Sequence, residues 1–252
     1  MGRFASTVEY YVRYREPYPR EFFAVAAMRL GLAGRERLLD IGCGPAPLAI
    51  GFAHYVESCV GVDPEPAMLA AARTQAAAVG VALDLLEIRV EELPLSIGVF
   101  ELVTIGRALH WLELEATRAV LERIVAPEGA ILLCGAAPIR DDANPWAAPY
   151  EAVRRAWTSA DDAARYRLEL DAWLVPTRFR IADTFETVAT HRVTVDELIG
   201  RALSKSSTSP DKLGPRQREF EREIAAALMP FVRDGAVEER FRAVARIVRR
   251  AT

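Results

Sequence analysis

A chain of 252 residues with 51% hydrophobic and 27% charged side chains has the balance of a globular protein that buries a sizeable core, not of a disordered one. No run approaches the roughly eighteen apolar residues that span a bilayer, and the net charge of −3, with its basic residues dispersed, argues against both a membrane and a nucleic acid as partner. Charges and tyrosines interleave at the N-terminus with no apolar stretch and cleavage site, unlike a secretory signal, so a cytoplasmic location is expected. The three cysteines, Cys43, Cys59 and Cys134, lie far apart in apolar runs, without the paired spacing of a zinc site or a disulfide framework, so they read as reduced core residues and no metal is expected.

After an N-terminal helical cap, short apolar runs alternate with helical patterns, the signature of a parallel sheet wound by crossover helices. Strands are expected at Arg37–Ile41, Cys59–Val62, Leu85–Val90, Phe100–Ile105 and Ala130–Gly135. Prolines suit the first turn of a helix, so Pro45 and Pro47 open one near Ala46–Tyr55, and Pro66 opens another that runs to about Val79. A third helix covers Leu114–Val125 and stops at the turn Pro127-Glu128-Gly129. Pro138–Ile181 breaks the alternation, carries three of the four tryptophans and reads as a helical insertion over the sheet. A strand at Thr184–Val193, helices at Val195–Ser204 and Arg216–Val232 and a last strand at Phe241–Val248 complete the pattern. The arginines of Arg240–Arg250 alternate with apolar residues, as on a solvated face.

Leu38-Leu39-Asp40-Ile41-Gly42-Cys43-Gly44 sets a buried strand directly before a glycine turn that feeds a helix. Glycine permits the tight turn and lets a ligand approach the backbone without a Cβ in the way. At about the twenty-residue separation expected of a nucleoside site, Asp63 ends the second apolar run, where a carboxylate accepts from both ribose hydroxyls; its alternative is a cap before Pro64. Pro47 stands where a dinucleotide fingerprint has its last glycine, and no lysine follows the glycines as in a phosphate loop, so neither pyrophosphate ligand is well served.

On these residues the chain resembles the class I S-adenosylmethionine-dependent methyltransferases of the small-molecule type. LLDIGCGPAP is similar to the family's first motif and VGVDPEPAMLAAAR to its second; VEELPL with FELVTIGRALHW, and then APEGAILL, follow in the family's order, and YVRYREPYP is a looser match near the N-terminus. YREPYP and the HW pair resemble most the trans-aconitate methyltransferase-like branch of type 11. The resemblance implies a Rossmann-like, doubly wound α/β fold with a mostly parallel seven-stranded sheet. Residues 1–32 would be the cap, 33–137 the cofactor-binding core, 138–182 a substrate-side insertion after the fifth strand, and 183–252 the remainder of a single domain.

The implied cofactor is S-adenosyl-L-methionine, with S-adenosyl-L-homocysteine as product, and the implied reaction is O- or N-methylation of a small molecule such as a carboxylate, aromatic or natural-product acceptor. Gly42 and Gly44 would line the methionine half, with Asp40 acting from beneath, Asp63 at the ribose, Pro64 and Met68 flanking the adenine, and Val90 and Glu91 at its edge. Gly106 would offer its carbonyl to the cofactor ammonium and Arg15 would reach its carboxylate. Ala46 stands where many relatives have a third glycine, Pro45 replaces a Ser or Thr, and Arg89 falls at an often acidic position. His110 is the candidate general base or a positioning residue beside Trp111; Tyr14, Tyr18, Trp111 and Trp146 are expected on the substrate wall. A nicotinamide-dependent oxidoreductase and a catalytically silent cofactor-binding module are the alternatives.

Overall fold

The computed structural model describes residues 6–165 and 173–251, so residues 166–172 of the expected insertion lie outside the described residues. Strands β1 (Arg37–Ile41), β2 (Ser58–Val62), β4 (Phe100–Gly106) and β5 (Val125–Pro138) run parallel, and β3 (Asp84–Leu86) pairs with β2 at one edge. At the other edge β7 (Ala236–Arg250) inserts antiparallel between β5 and β6 (Phe179–Thr194), giving the order β3-β2-β1-β4-β5-β7-β6. The seven-stranded, mostly parallel sheet is the expected Rossmann-like α/β arrangement.

The central strands form because successive side chains leave opposite faces of the sheet and both faces are covered. Leu38, Leu102 and Leu132 enter one apolar cluster, with Phe22, Phe23, Leu48 and Leu69 from helices α2 (Arg20–Leu30), α3 (Pro47–Phe52) and α4 (Pro66–Ala78). Their neighbours Leu39, Val103 and Leu133 enter the other, under α5 (Leu114–Ile124). A third cluster joins α6 (Ala147–Ala156) to α8 (Val195–Leu203) and α9 (Gln217–Leu228); α7 (Ala160–Arg165) follows α6. Helix α1 (Val8–Tyr14) docks on α8, where a Cβ added to Gly200 would come within 2.3 Å of the Tyr14 ring. Among the described residues no helix is long and apolar enough to cross a membrane.

Several expected elements differ in extent: β5, β6 and β7 run well beyond Ala130–Gly135, Thr184–Val193 and Phe241–Val248, so that β6 takes the last residues of the expected insertion, and α3 stops at Phe52 short of Tyr55. The third strand ends at Leu86 because the Ile88 amide donates back to the Leu86 carbonyl, and Val90–Glu92 is a single 3-10 turn. Pro127-Glu128-Gly129 lies inside β5: the register shifts between Phe100↔Val125 and Leu102↔Ala130, so the turn bulges from the strand instead of preceding it.

The strand β7 resolves the basic C-terminal stretch. Its burial alternates, placing Phe241, Ala243, Ala245 and Ile247 in the core while Arg240 and Arg242 pair outward with Asp141 and Glu186. Glu239 runs against that pattern of solvated charge. It is fully buried, and its carboxylate accepts from both terminal nitrogens of Arg201, at 2.5 and 2.8 Å, and lies 2.6 Å from Nε2 of His191. Removing one member of a buried pair strands the other charge in a low dielectric. Glu239→Gln is therefore expected to cost about 3–5 kcal/mol, read as a lower urea midpoint with an unchanged m-value; a loss under about 1 kcal/mol would show that Arg201 finds other partners.

Candidate functional site

The loop after β1 is bare by construction. Gly42 and Gly44 both have left-handed backbone, φ 61° and 55°, and a Cβ on Gly42 would lie 2.6 Å from that of Ala108. Ala46, where many relatives carry glycine, keeps the left-handed conformation at φ 59°, which costs an L-residue roughly 1–2 kcal/mol. Two carboxylates hold the loop. Asp63, at the end of β2, accepts the Gly44 amide on Oδ2 and the Glu65 amide on Oδ1, each at 2.9 Å. Asp40, on β1 beneath the loop, accepts from Thr104 Oγ1 at 2.7 Å and from the Ala49 amide at 3.3 Å, which caps the first turn of α3.

These elements bound a cleft of about 130 Å³ at the C-terminal edge of the parallel strands, where open α/β sheets bind ligands. Gly42, Gly44 and Gly106 line one part; Pro64, Met68 and Val90 line another, and Asp63 stands on the wall with them. Glu91 and Trp111 also reach the cleft, but the Glu91 carboxylate is engaged elsewhere: Oε1 accepts the Glu113 amide at 2.8 Å and Oε2 lies 3.4 Å from Arg89 Nε. The half-buried His110 occupies the 3-10 turn Leu109–Trp111, its ring 5.2 Å from that of Trp111.

Arg15, Tyr14 and Trp146 lie away from the cleft, while Tyr18 stays beside it. Arg15 lines a second cavity, not the cleft, and donates to Ser204 Oγ at 3.2 Å, because the chain turns extended after α1. Tyr14 packs its ring on Gly200 of α8. Trp146 is core: 1% exposed, it donates its indole N–H to the Glu238 carbonyl and meets Tyr150 edge-on. Tyr18 reaches a small recess beside Asp40, Pro47 and Gly106, with its buried hydroxyl unpartnered. Arg107 is a wall residue that the sequence reading missed. Its φ of 59° is strained for a residue with a side chain, its guanidinium donates to the Glu16 carbonyl, and it lies over the Tyr18 ring, 4.8 Å from the centroid.

Burial sets the electrostatics. Desolvation pushes the Asp40 carboxyl up from 3.8 to about 7, against the lowering effect of its hydrogen bonds from Thr104 and Ala49. Desolvation also raises Asp63, partly offset by the Glu65 and Gly44 amides. Because the folded Asp40 carboxyl keeps its proton to higher pH than the unfolded one, the folded state binds the extra proton between about 4 and about 7, and stability falls as pH rises through that window. Asp40→Asn is expected to shrink that slope in urea titrations from pH 4 to 7, leaving a residual from Asp63; an unchanged slope would place the carboxyl charge elsewhere.

Residues 39–133 match the family model described as a methyltransferase domain. A ubiquinone biosynthesis O-methyltransferase of Pseudomonas aeruginosa is 36% identical over 107 residues, 42% of this chain, and the match spans 46% of that relative, about half its length. A chain from Anaeromyxobacter dehalogenans described as a type II methyltransferase superimposes with a TM-score of 0.66 at 19% identity, covering 94% of this chain and 98% of its own. A Geobacter sulfurreducens methyltransferase solved with S-adenosyl-L-homocysteine gives 0.58 at 17% identity, covering 100% and 99%. At those identities the structural likeness establishes the fold. The sequence match adds that residues 39–133, within that fold, resemble a methyltransferase domain.

Proposed function

We propose that this chain transfers a methyl group from S-adenosyl-L-methionine to a small-molecule acceptor in the cytoplasm, a reducing compartment that suits its three buried free cysteines. One observation carries the reading: Gly42, Gly44, Asp63, Met68, Val90 and Gly106 face a single cleft at the tips of β1, β2 and β4. The cleft fits a ligand with a sugar, a flat apolar base and a zwitterionic tail. Asp63 spends one acceptor position on each oxygen for backbone amides, and each oxygen retains lone-pair capacity for a ribose hydroxyl. Met68 and Val90 offer apolar surface to an adenine, while the bare loop at Gly42 and Gly44 admits a methionine tail whose ammonium the Gly106 carbonyl accepts.

Held there, S-adenosyl-L-methionine would supply a methyl group made electrophilic by its sulfonium, so that an acceptor lone pair would bond to the methyl carbon in line as the carbon–sulfur bond breaks and the thioether of S-adenosyl-L-homocysteine leaves. The protein's contribution is chiefly to align that displacement and keep water out, as positioning alone accounts for much of such rate enhancements. Gly106, Arg107 and Ala108 line the cleft directly after β4, and Trp111 and Leu112 line it from the turn that follows. A hydroxyl or protonated amine acceptor needs a base, and His110, on the same turn as the cleft residue Trp111 though not itself on the cleft lining, is the candidate either to take the proton or to position the acceptor; a carboxylate acceptor needs no base.

A direct binding test follows. S-adenosyl-L-homocysteine is expected to bind with micromolar affinity and raise the melting temperature, NAD to leave it unmoved, and Asp63→Ala to weaken S-adenosyl-L-homocysteine by at least about tenfold. Stabilisation by NAD instead, or an affinity indifferent to Asp63→Ala, would overturn the proposal.

A further inference from the structure

Beyond the cleft, a larger cavity of about 420 Å³ opens between the N-terminal segment, the end of β5, α6 and the residues that follow α8. Its charged lining among the described residues is one-sided: Arg15, Arg140, Arg154, Arg155 and Lys205 against Glu16 and Glu151. Both carboxylates are already shared. Glu16 lies 3.2 Å from Lys205 and 3.8 Å from Arg15, and Glu151 lies 2.7 Å from Arg154 and 3.8 Å from Arg140. Two carboxylates cannot neutralise even the four guanidinium cations, and a positive excess in a partly desolvated recess attracts an anion strongly.

The hydrogen-bonding ledger points the same way. Nε of Arg154 is buried without a hydrogen-bond partner, while Nε of Arg15 and Oε2 of Glu16, buried and not hydrogen-bonded, face each other as an ion pair at 3.8 Å. Buried donors in native proteins are as a rule satisfied, so the Arg154 guanidinium N–H calls for an acceptor from outside the chain. The Lys205 ammonium is held well below its ordinary value by burial and by Arg15, with Glu16 opposing and Arg154 and Arg107 adding to the effect. That is the behaviour of a cation among cations. The cavity also adjoins the cleft, because Arg107 lines the cleft and donates to the carbonyl of Glu16, which lines the cavity.

We infer that this cavity receives an oxyanion, a carboxylate or phosphate head group of the methyl acceptor, with Arg15, Arg154 and Lys205 as its principal donors. Planar guanidinium forks suit either anion, and neither source is distinguished by the donor set. Anion capture stands on the cavity alone; its assignment to the methyl acceptor rests on the proposed methyl transfer.

Calorimetric titration of the full chain at low ionic strength with tricarballylate, inorganic phosphate and, separately, S-adenosyl-L-homocysteine tests both. Saturable binding of tricarballylate or phosphate is expected, weakened at least about tenfold by Arg154→Met and by Lys205→Met, with S-adenosyl-L-homocysteine affinity changed less than about twofold. Should those variants misfold, the solvent-facing Arg155→Met is expected to weaken the anion by about threefold or more. Failure of both anions to saturate by about 10 mM while S-adenosyl-L-homocysteine binds would overturn the anion inference alone. Anion binding that ignores all three substitutions would overturn it too, whereas anion binding without S-adenosyl-L-homocysteine binding would sink the cofactor reading and leave the anion site standing.

Discussion

The hydrogen bond from the Gly44 amide to the Asp63 carboxylate fastens the turn after β1 to the tip of β2, and the geometry of the cleft follows from it. A loop with two left-handed glycines has little conformational preference of its own. It takes one shape here because Asp63 holds it from the side while Asp40, bonded to Thr104 of β4 and to the first turn of α3, holds it from below. Each anchor places a carboxyl where burial opposes its charge, so the site is assembled against an electrostatic cost that the surrounding sheet supports. The same two groups that shape the loop are thus the ones through which pH acts on it.

The N-terminal segment couples the cleft to its surroundings. Phe22 and Phe23 of α2 enter the core beside α3, so the cap is packed into the fold from its second helix onward. Between the two helices, Glu16 and Tyr18 meet Arg107 at the end of β4. Arg107 therefore joins three things in one residue: a strained backbone at the strand tip, a wall of the cleft and the backbone of the charged cavity. Strain of this kind persists only where the neighbouring structure over-determines it, which is why such positions gather at sites.

What the sequence discloses depends on how local its cause is. The strands β1, β2 and β4 could be read because apolar runs buried on both faces need no partner to be recognised, and the glycine turn with Asp63 could be read because both depend on backbone geometry within one strand-turn-helix unit. The shortened β3 and the bulge in β5 depend on pairing across the sheet, which no local pattern records. Charged residues were harder still. Nothing local marks Glu239 as buried until Arg201, 38 positions away, is seen beside it, and Arg15 reads as a cofactor ligand until the extended turn after α1 carries it into the other cavity. Trp146 shows the ambiguity of aromatic residues: a ring that docks a helix and a ring that lines a pocket have the same sequence signature, and here it docks the helix.

The central claim is that the strand-tip carboxylate and the glycine turn were shaped together for an adenosyl ligand. The most direct measurement is a crystal structure of the chain grown with S-adenosyl-L-homocysteine. The account predicts ribose hydroxyls within hydrogen-bonding reach of Asp63, with the adenine between Met68 and Val90 and the amino-acid tail over Gly42 and Gly44. Density for the ligand at any other place, with Asp63 bonded to the Gly44 and Glu65 amides alone, would contradict it.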